Sequence, residues 1–450
     1  MSKKTTPADK REFYLAAFNR FEESLNGETA SPFHQIRRQA IDSFAVSGFP
    51  SGRDEAWRHT NVTAVTRAEF ALAPKSGASI SADTSRFSFP GFDGIQLVFI
   101  NGQYSQQAST LRELPDGVRV TSLATALIEE PGLVDAHLGR HASYEGPGFA
   151  ALNTAFVTDG AFVHIPKGVR LEIPIHLLYL SATTAVPTVS FPRTLIVVED
   201  GAAGFVAETY AGLQPDGADG EYLTNAVTEI VAGDGSEFHH CKIQQEGDRA
   251  FHAGALHVTE GRDCAFTSHN AIVGGQLVRN DTTTLLEGEG IESTLNGVFL
   301  GGDESRIDNH TTIEHARPDC VSHELYKGIL GGHSQAVFSG RIHVHQVAQK
   351  TNAYQSNQNL LLSDDAEITS KPQLEIYADD VKCSHGSTTG QLDAEAIFYL
   401  RSRGIGERQA VAILTRAFAD EIVDSIPNEA VRLRVGELVA DKLSALLSQR

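Results

Sequence analysis

Cysteine is scarce in this chain, with four in 450 residues, at positions 241, 264, 320 and 383. No two form a C-x-x-C, which excludes the local ligand spacings of zinc ribbons and ferredoxin-type clusters. Free thiols in a reducing compartment are expected rather than disulfides. Positive charge is also in deficit: 37 Lys and Arg against 57 Asp and Glu leave a net charge of −20. Nucleic-acid phosphates need a basic face, so no nucleic-acid partner is expected. The acidic residues are dispersed, as on a solvated surface. No apolar run approaches the ~20 residues of a membrane span. Met1 to Pro7 is basic but no apolar segment follows, so it does not read as a secretory signal. A cytoplasmic protein without a membrane partner is the expectation. The nucleotide-binding G-x-x-x-x-G-K-[ST] pattern is missing, and so is the G-x-S-x-G elbow of nucleophilic hydrolases.

What is present is a foldable composition, 41% hydrophobic and 21% charged. The length exceeds one ordinary domain. Three units are expected: residues 1–150, helical or mixed; 151–391, a β-rich core; and 392–450, helical. In the first unit, Lys10 to Ser24 reads as an amphipathic helix with Phe13, Leu15, Phe18 and Phe21 on one side. A second helix runs from about Pro32 to Ser47, ahead of Gly48-Phe49-Pro50. Arg53 to Thr60 follows with the only Trp, Trp57, and then a strand, Ile95 to Ile100, leads into an Asn101-Gly102 turn.

From about Ala155 to Gly390 helical periodicity gives way to short runs of Val, Ile, Thr and Phe between Gly- and Asp-bearing turns. Related turns recur at 199–201, 232–236, 260–264, 287–291, 317–320 and 363–366. Several are roughly 28 residues apart, a spacing of stacked repeats. One coil of a β-solenoid fits that length, with an inward row of Val, Ile, Leu and Phe and the polar row outside. The β-sandwich, a competing reading, does not explain the recurring turn. At Asp393, a plausible N-cap, the period switches to helix, with Leu392 and Ile397 in staple positions and Gly404 ending the helix. A second helix, about Glu407 to Ser425, presents Val411, Leu414, Phe418 and Ile422; a third, after Asn428, presents Val435, Val439, Leu443 and Leu446. These short helices are expected to pack on the solenoid end or on a partner.

Eighteen histidines invite metal-site readings. On a strand His343 and His345 share the face opposite Ile342 and Val344, yet supply two of the four ligands of a zinc site; a His-based metal-binding protein using this pair is one alternative reading of the chain. His239-His240-Cys241 and the His310/His315 pair have no specific spacing. Asp303, Glu304, Asp308 and Glu314 suit an alternative in which a solenoid enzyme acts on polysaccharide. The strand-to-helix junction Lys382-Cys383-Ser384-His385-Gly386 is more pointed. Cys383 and His385 project to one side of a strand about 6–7 Å apart, close enough to share one iron. A cationic His there would favour the thiolate.

The run from Lys382 to Asp393, with Ala396 to Ile405, resembles the SufD-type proteins of the SufB/SufD family of iron–sulfur cluster assembly. Glu55 to Thr60, Thr351 to Leu362 and Ser370-Lys371-Pro372 are similar to other motifs of that family, in order along the chain. The resemblance implies a mainly β fold: a right-handed parallel β-helix between an N-terminal helical domain and a C-terminal helical domain. It implies a non-catalytic scaffold that pairs with the paralogue SufB through the β-helices and binds the ATPase SufC through the C-terminal helices. Closure of the ATPase pair is then expected to rearrange the interface where a nascent cluster assembles. Carried onto this sequence, His385 and Cys383 become metal-handling residues of a shared interface site, and Phe398, Tyr399, Arg401 and Arg403 lie on or near the SufC-docking helix. No cofactor is expected to be held tightly by this chain alone; iron or a cluster would be transient cargo of the complex. The reactive Cys that SufB-type chains carry in the segment corresponding to Tyr354 to Leu360 has no counterpart here. Exposed edges at a β-helix end need covering, so the isolated chain is also a candidate homodimer.

Overall fold

The protein's structure, a computed structural model, describes residues 7–25, 32–74, 83–146, 148–183, 186–213 and 220–448. The basic start, Met1 to Thr6, lies outside them. From residue 160 the chain winds between two sheets as a β-solenoid of about seven turns. The strands Tyr222–Ala232, Ala250–Glu260, Leu277–Leu286, Arg306–His315, Gln335–Val344 and Glu367–Ile376 lie side by side in the first sheet. Glu237–Gln245, Ala265–Ile272, Glu292–Gly301, Val321–Leu330, Thr351–Leu361 and Val381–Gly390 lie in the second. These neighbours pair in parallel, so Leu277, Arg306 and Gln335 stand in one column.

Five of the six expected turns form the corner from the first sheet to the second; 363–366 lies at the opposite corner. The corner needs a left-handed residue, supplied by Gly201 (φ +65°), Gly235 (φ +64°) or Gly290 (φ +70°). Asp263 and Asp319 take the same conformation (φ +54° and +60°), which Asp tolerates better than most residues. Successive corners are stitched together: Asp200 Oδ1 accepts from the Asp234 N–H at 3.1 Å, and Asp234 Oδ1 from the Arg262 N–H at 2.8 Å.

The inward row is apolar in part, with Phe238, Phe266, Phe299 and Phe338 fully buried in one continuous core. The expectation of an apolar lumen is corrected along one side of it. Glu208, Glu246, His252 and Glu324 are buried among the coils, with Lys242 half-buried beside them. Each has polar partners, as buried polar groups must: Glu208 accepts from Thr228, Glu324 accepts from Gln355, and Lys242, His252 and Glu246 bond in a chain. Lys242 Nζ lies 2.5 Å from Asn280 Oδ1 and 2.8 Å from His252 Nε2, and His252 Nδ1 lies 2.8 Å from Glu246. Burial pushes the Lys242 ammonium down to about 8.

Segments from the first 150 residues complete the start of the solenoid. Ile95–Ile100 pairs in parallel with Ile175–Ser181, and turns through Asn101-Gly102 into an antiparallel strand, Gln103–Tyr104. Arg119–Ser122 pairs antiparallel with Gly160–Ile165. Helices α1 (Pro7–Glu23), α2 (Pro32–Ser47), α3 (Thr63–Arg67), α4 (Leu123–Glu129), α5 (Pro131–His137) and α6 (Phe149–Phe156) gather around these strands. Phe18 and Phe21 are buried as expected, while Tyr14 takes the inner place that Phe13 and Leu15 reach only partly. The Trp57 segment clamps onto the outer face of the first sheet: the Arg279 guanidinium stacks 4.2 Å from the indole, Thr60 hydrogen-bonds Asp308, and Lys371 pairs with Glu55 at 3.0 Å.

The last helices are α7 (Ala394–Ser402), α8 (Glu407–Val423) and α9 (Glu429–Ser448). Asp393 caps α7 by accepting from the Glu395 N–H, and Gly404 follows it in the left-handed region (φ +86°). Packing on the solenoid end is not observed. Instead α8 and α9 lie along the flank, burying Ala419, Ile422, Val435, Val439 and Leu443 with Ile243, Val298 and Ile329 of the second sheet. On α8 the buried stripe is Val411, Thr415, Ala419 and Ile422; Leu414 and Phe418 are only half-buried. Small Thr415 and Ala419 let the backbones approach closely. No described helix is long and apolar enough to cross a membrane.

Candidate functional site

Val381–Gly390 is the edge strand of the second sheet and Glu367–Ile376 the edge strand of the first. Together they form the last coil, and no strand among the described residues pairs with its outer side. Strand alternation turns Val381 and Cys383 inward, where both pack partly against the core. His385 shares that face but lies beyond the last covered layer, exposed at the mouth of the lumen. Cys383 is half-buried, and burial raises its thiol above the ordinary range.

Parallel register gives His385 a footing that its local sequence does not show. Glu324, Gln355 and His385 form one column on successive coils. Gln355 donates from Nε2 to Glu324 Oε2 at 2.6 Å. Burial pushes the Glu324 carboxyl up to about 7. Gly340 leaves room for this amide, since a Cβ there would stand 2.2 Å from Gln355 Nε2. Gln355 and Glu324 do not stand out in the sequence; the repeat register is the signal that would have found them.

The donor set is incomplete within one chain. Cys241, Cys264 and Cys320 are buried, and burial raises all three thiols. A tetrahedral iron or zinc site needs four ligands, and this mouth offers one sulfur and one imidazole.

The second candidate group lies on α7, none of whose residues is buried. Phe398 is 73% exposed and Tyr399 57%. Arg403 sits 5.2 Å over the Tyr399 ring, and Arg401 pairs with Glu407 at 3.3 Å. Beneath this surface α8 is anchored by Lys327, whose ammonium lies 4.4 Å from the Phe418 ring and pairs with Glu421.

Other sequence candidates disperse. Asp308 is buried against Arg279, at 2.6 Å, and Glu314 is six residues along the same strand, about 20 Å away at ~3.3 Å per residue. Glycosidase carboxylates stand no more than ~10 Å apart, so these two do not form such a pair. His240 and Cys241 are buried, and His315 is buried against Ser322 at 2.9 Å while His310 pairs with Asp308 at 3.0 Å. His343 and His345 turn outward, as alternation predicts.

Comparison with known proteins gives a consistent picture. Residues 179–418 match the family described as SUF system FeS cluster assembly, SufBD core domain, and residues 8–177 match the SufBD protein N-terminal region. The chain is similar to an iron–sulfur cluster assembly SufBD family protein of Synechocystis, 33% identical over 420 residues and 92% of each chain. It is also similar to the iron–sulfur cluster assembly protein SufD of Escherichia coli, 29% identical over 410 residues, 90% of this chain and 92% of the relative. A chloroplast protein of Arabidopsis thaliana, ABCI7, is 28% identical over 431 residues, 93% of this chain and 88% of the relative.

Proposed function

The chain belongs to the SufBD family of iron–sulfur cluster assembly proteins, and on that premise we propose that it is a non-catalytic scaffold subunit holding half of a shared assembly site. The observation that carries this reading is the uncovered last coil, with Cys383 and His385 on one face of its edge strand. A partner strand added to that edge would bring its own side chains beside them, as cross-strand neighbours stand about 4.5–5.5 Å apart. The paralogue SufB is the proposed partner at this edge, with pairing of two copies of this chain as the competing occupant when SufB is absent. Iron or the nascent cluster is cargo here, handled by His385 and Cys383 only when the partner supplies the missing ligands.

In the same reading the exposed α7 surface receives the ATPase SufC, with Phe398 and Tyr399 as apolar anchors and Arg401 and Arg403 at the rim. Exposed aromatics of this kind are frequent interface hot spots. Because α8 rests on the second sheet through Lys327, movement at α7 has a direct mechanical route to the coils. Mixing the chain with SufB and SufC should give one co-eluting complex. Removal of the helices after Asp393 should abolish SufC binding and spare SufB binding; retained SufC binding rejects the docking assignment. His385→Ala should lower cluster yield in the assembled complex without changing its composition, and an unchanged yield rejects the site.

A further inference from the structure

Outside the open mouth, one cluster of ligand-type side chains is built into the outer face of the first sheet. Ile313, Ile342 and Val344 point into the core, so Glu314, His343 and His345 turn outward, each half-buried. Register sets Glu314 directly beside His343, and His343 beside Glu375 of the edge strand. One ligand atom from each of Glu314, His343 and His345 lies within 4.8 Å of the other two. His345 Nε2 approaches Glu314 Oε1 at 2.6 Å, and the two imidazole rings stand 4.7 Å apart. His343 Nδ1 lies 3.0 Å from Glu375 Oε2. That contact places the proton of neutral His343 on Nδ1 and leaves the lone pair on Nε2.

We propose that Glu314, His343 and His345 form a binding site for one divalent transition-metal cation of the zinc or iron(II) kind, with Glu375 orienting His343 from behind. The donor set decides the class. Two imidazole nitrogens and one carboxylate oxygen match open three-ligand zinc sites and the two-His-one-carboxylate sites of iron(II). Magnesium and calcium favour all-oxygen shells, and copper(I) favours sulfur. Metal–nitrogen distances of ~2.0–2.1 Å require the three donors to draw together by side-chain rotation, which half-exposed groups on a rigid sheet permit. A fourth position then faces solvent. His345 releases Glu314 from their hydrogen bond as both turn to the metal. The site lies on a different sheet from Cys383 and His385 and does not depend on the scaffold reading.

The test uses the full-length chain stripped with chelator and titrated calorimetrically with Zn2+, then with Co2+ followed by its visible d–d absorption. One equivalent of Zn2+ binding at micromolar Kd or tighter, with cobalt bands of low coordination number, is expected. His343→Gln with His345→Gln should weaken binding at least 100-fold, and Glu375→Gln alone by about 10–100-fold, the range for lost outer-shell partners. Cys383→Ser with His385→Ala should leave binding unchanged, which separates this site from the proposed assembly site. Wild-type binding weaker than about 1 mM, or tight binding that survives the double His substitution, overturns the proposal. If circular dichroism shows the double variant to be unfolded, Glu314→Gln decides instead: binding unchanged from wild type overturns the site, and a loss of tenfold or more supports it. Competition by Fe2+ under argon identifies which of the two metals the site prefers.

Discussion

Arg193→Met tests how the N-terminal helices are fastened to the solenoid. Arg193 and Glu229 are both completely buried. The guanidinium donates to Glu229 Oε2 from Nε at 3.1 Å and from Nη2 at 2.5 Å, and from Nη1 to Asn153 and Thr154 of α6, each at 3.1 Å. Glu229 also accepts the backbone N–H groups of Gly139, His141 and Ala142 at 2.9–3.0 Å. Methionine fills similar volume but leaves the carboxylate buried with three amide donors and no counter-charge. Breaking one partner of a buried pair costs about 3–5 kcal/mol, and the retained amide bonds argue for the lower half of that range. Burial raises the Glu229 carboxyl, and Arg193 together with the backbone N–H groups of Ala142 and Gly139 more than offsets it, so its folded pKa stands below the ordinary value of 4.5. In wild type this stabilisation is complete above that value and is lost as pH falls through the depressed folded one. Without Arg193, burial dominates and the folded pKa rises above 4.5. The cost in the variant is then greatest well above that raised value and shrinks as acid protonates the buried group. The gap between wild type and Arg193→Met should therefore be about 3–4 kcal/mol at pH 7.5 and clearly smaller at pH 5. Urea unfolding followed by Trp57 emission reads it, because the only Trp is buried in the N-terminal cluster. Adding Glu229→Gln should recover only part of the loss: it removes the unpaired charge, and the amide oxygen in the place of Oε1 keeps the His141 and Ala142 bonds, but the amide nitrogen then faces the Gly139 N–H, which is left without an acceptor. A loss below about 1 kcal/mol, or an equal gap at both pH values, refutes the reasoning.

Three further outcomes follow from the packing. His269 contacts Ser425 at 2.9 Å beyond the end of α8, and burial pushes it down to about 4; α8 docking should be complete above pH 6.5 and weaken by up to about 3 kcal/mol toward pH 4. Amide protection factors of α8 at pH 7 and 5 check this, and equal values would remove the mechanism. Leu443→Ala should cost about 2–5 kcal/mol, the range for a buried Leu, and loosen α9 from the second sheet; an unchanged urea midpoint contradicts the flank packing. Glu260 is fully buried, with only Ser293 among the described residues bonded to its side chain, at 2.8 Å, and burial pushes its carboxyl up to about 8. Its raised folded value means stability is lost as pH rises from the unfolded value near 4.5 through 8, so Glu260→Gln should gain on wild type across that window and then plateau. A constant difference between pH 6 and 9 in thermal melts would exclude a protonated Glu260.

The parts of the fold that depend on local chemistry were legible. The helix Pro32–Ser47, the Asn101-Gly102 hairpin, the Asp393 cap and the last strand ending at Gly390 all follow from turn and capping residues. What was not legible depends on neighbours from other coils. Parity alone puts Glu208, Lys242 and His252 on the inward row, but their partners come from other strands: those of Lys242 are 10 and 38 residues along the chain. Hydrophobicity ranks Leu414 and Phe418 above Thr415 and Ala419, yet close approach to the sheet selects the small residues, and Phe418 instead covers Lys327. The same reason hid the footing of His385 and the carboxylate beside His343. Glu324, Gln355 and His385, like Glu314 and His343, are joined by the repeat and not by local spacing. A one-coil offset applied to each His would have aligned them.

The two ends of the solenoid differ in a way that bears on where a partner docks. At the start, the antiparallel strands Gln103–Tyr104 and Arg119–Ser122 lie at the outer ends of the two sheets. At the other end the two edges differ in chemistry. Glu367–Ile376 carries Lys371, Pro372 and three glutamate or glutamine side chains, and proline with charge is how edge strands are kept from pairing. From Cys383 to Gly390 the second edge has no proline and no Lys, Arg, Asp or Glu, only small polar residues, glycine and His385. An uncharged edge of this kind favours strand addition. On the proposed reading, that bias sends the partner to the second sheet, where each added residue lands beside one of Cys383 to Gly390. Docking at the first edge would instead meet Pro372, which has no N–H to offer, and would leave Cys383 and His385 without a facing strand. On that reading the site and the pairing edge coincide on Val381–Gly390. Lysine substitutions at Ser387 and Thr389 should then block partner binding, whereas the same change at Gln373 should not; the reverse pattern would place the partner on the wrong sheet for this site.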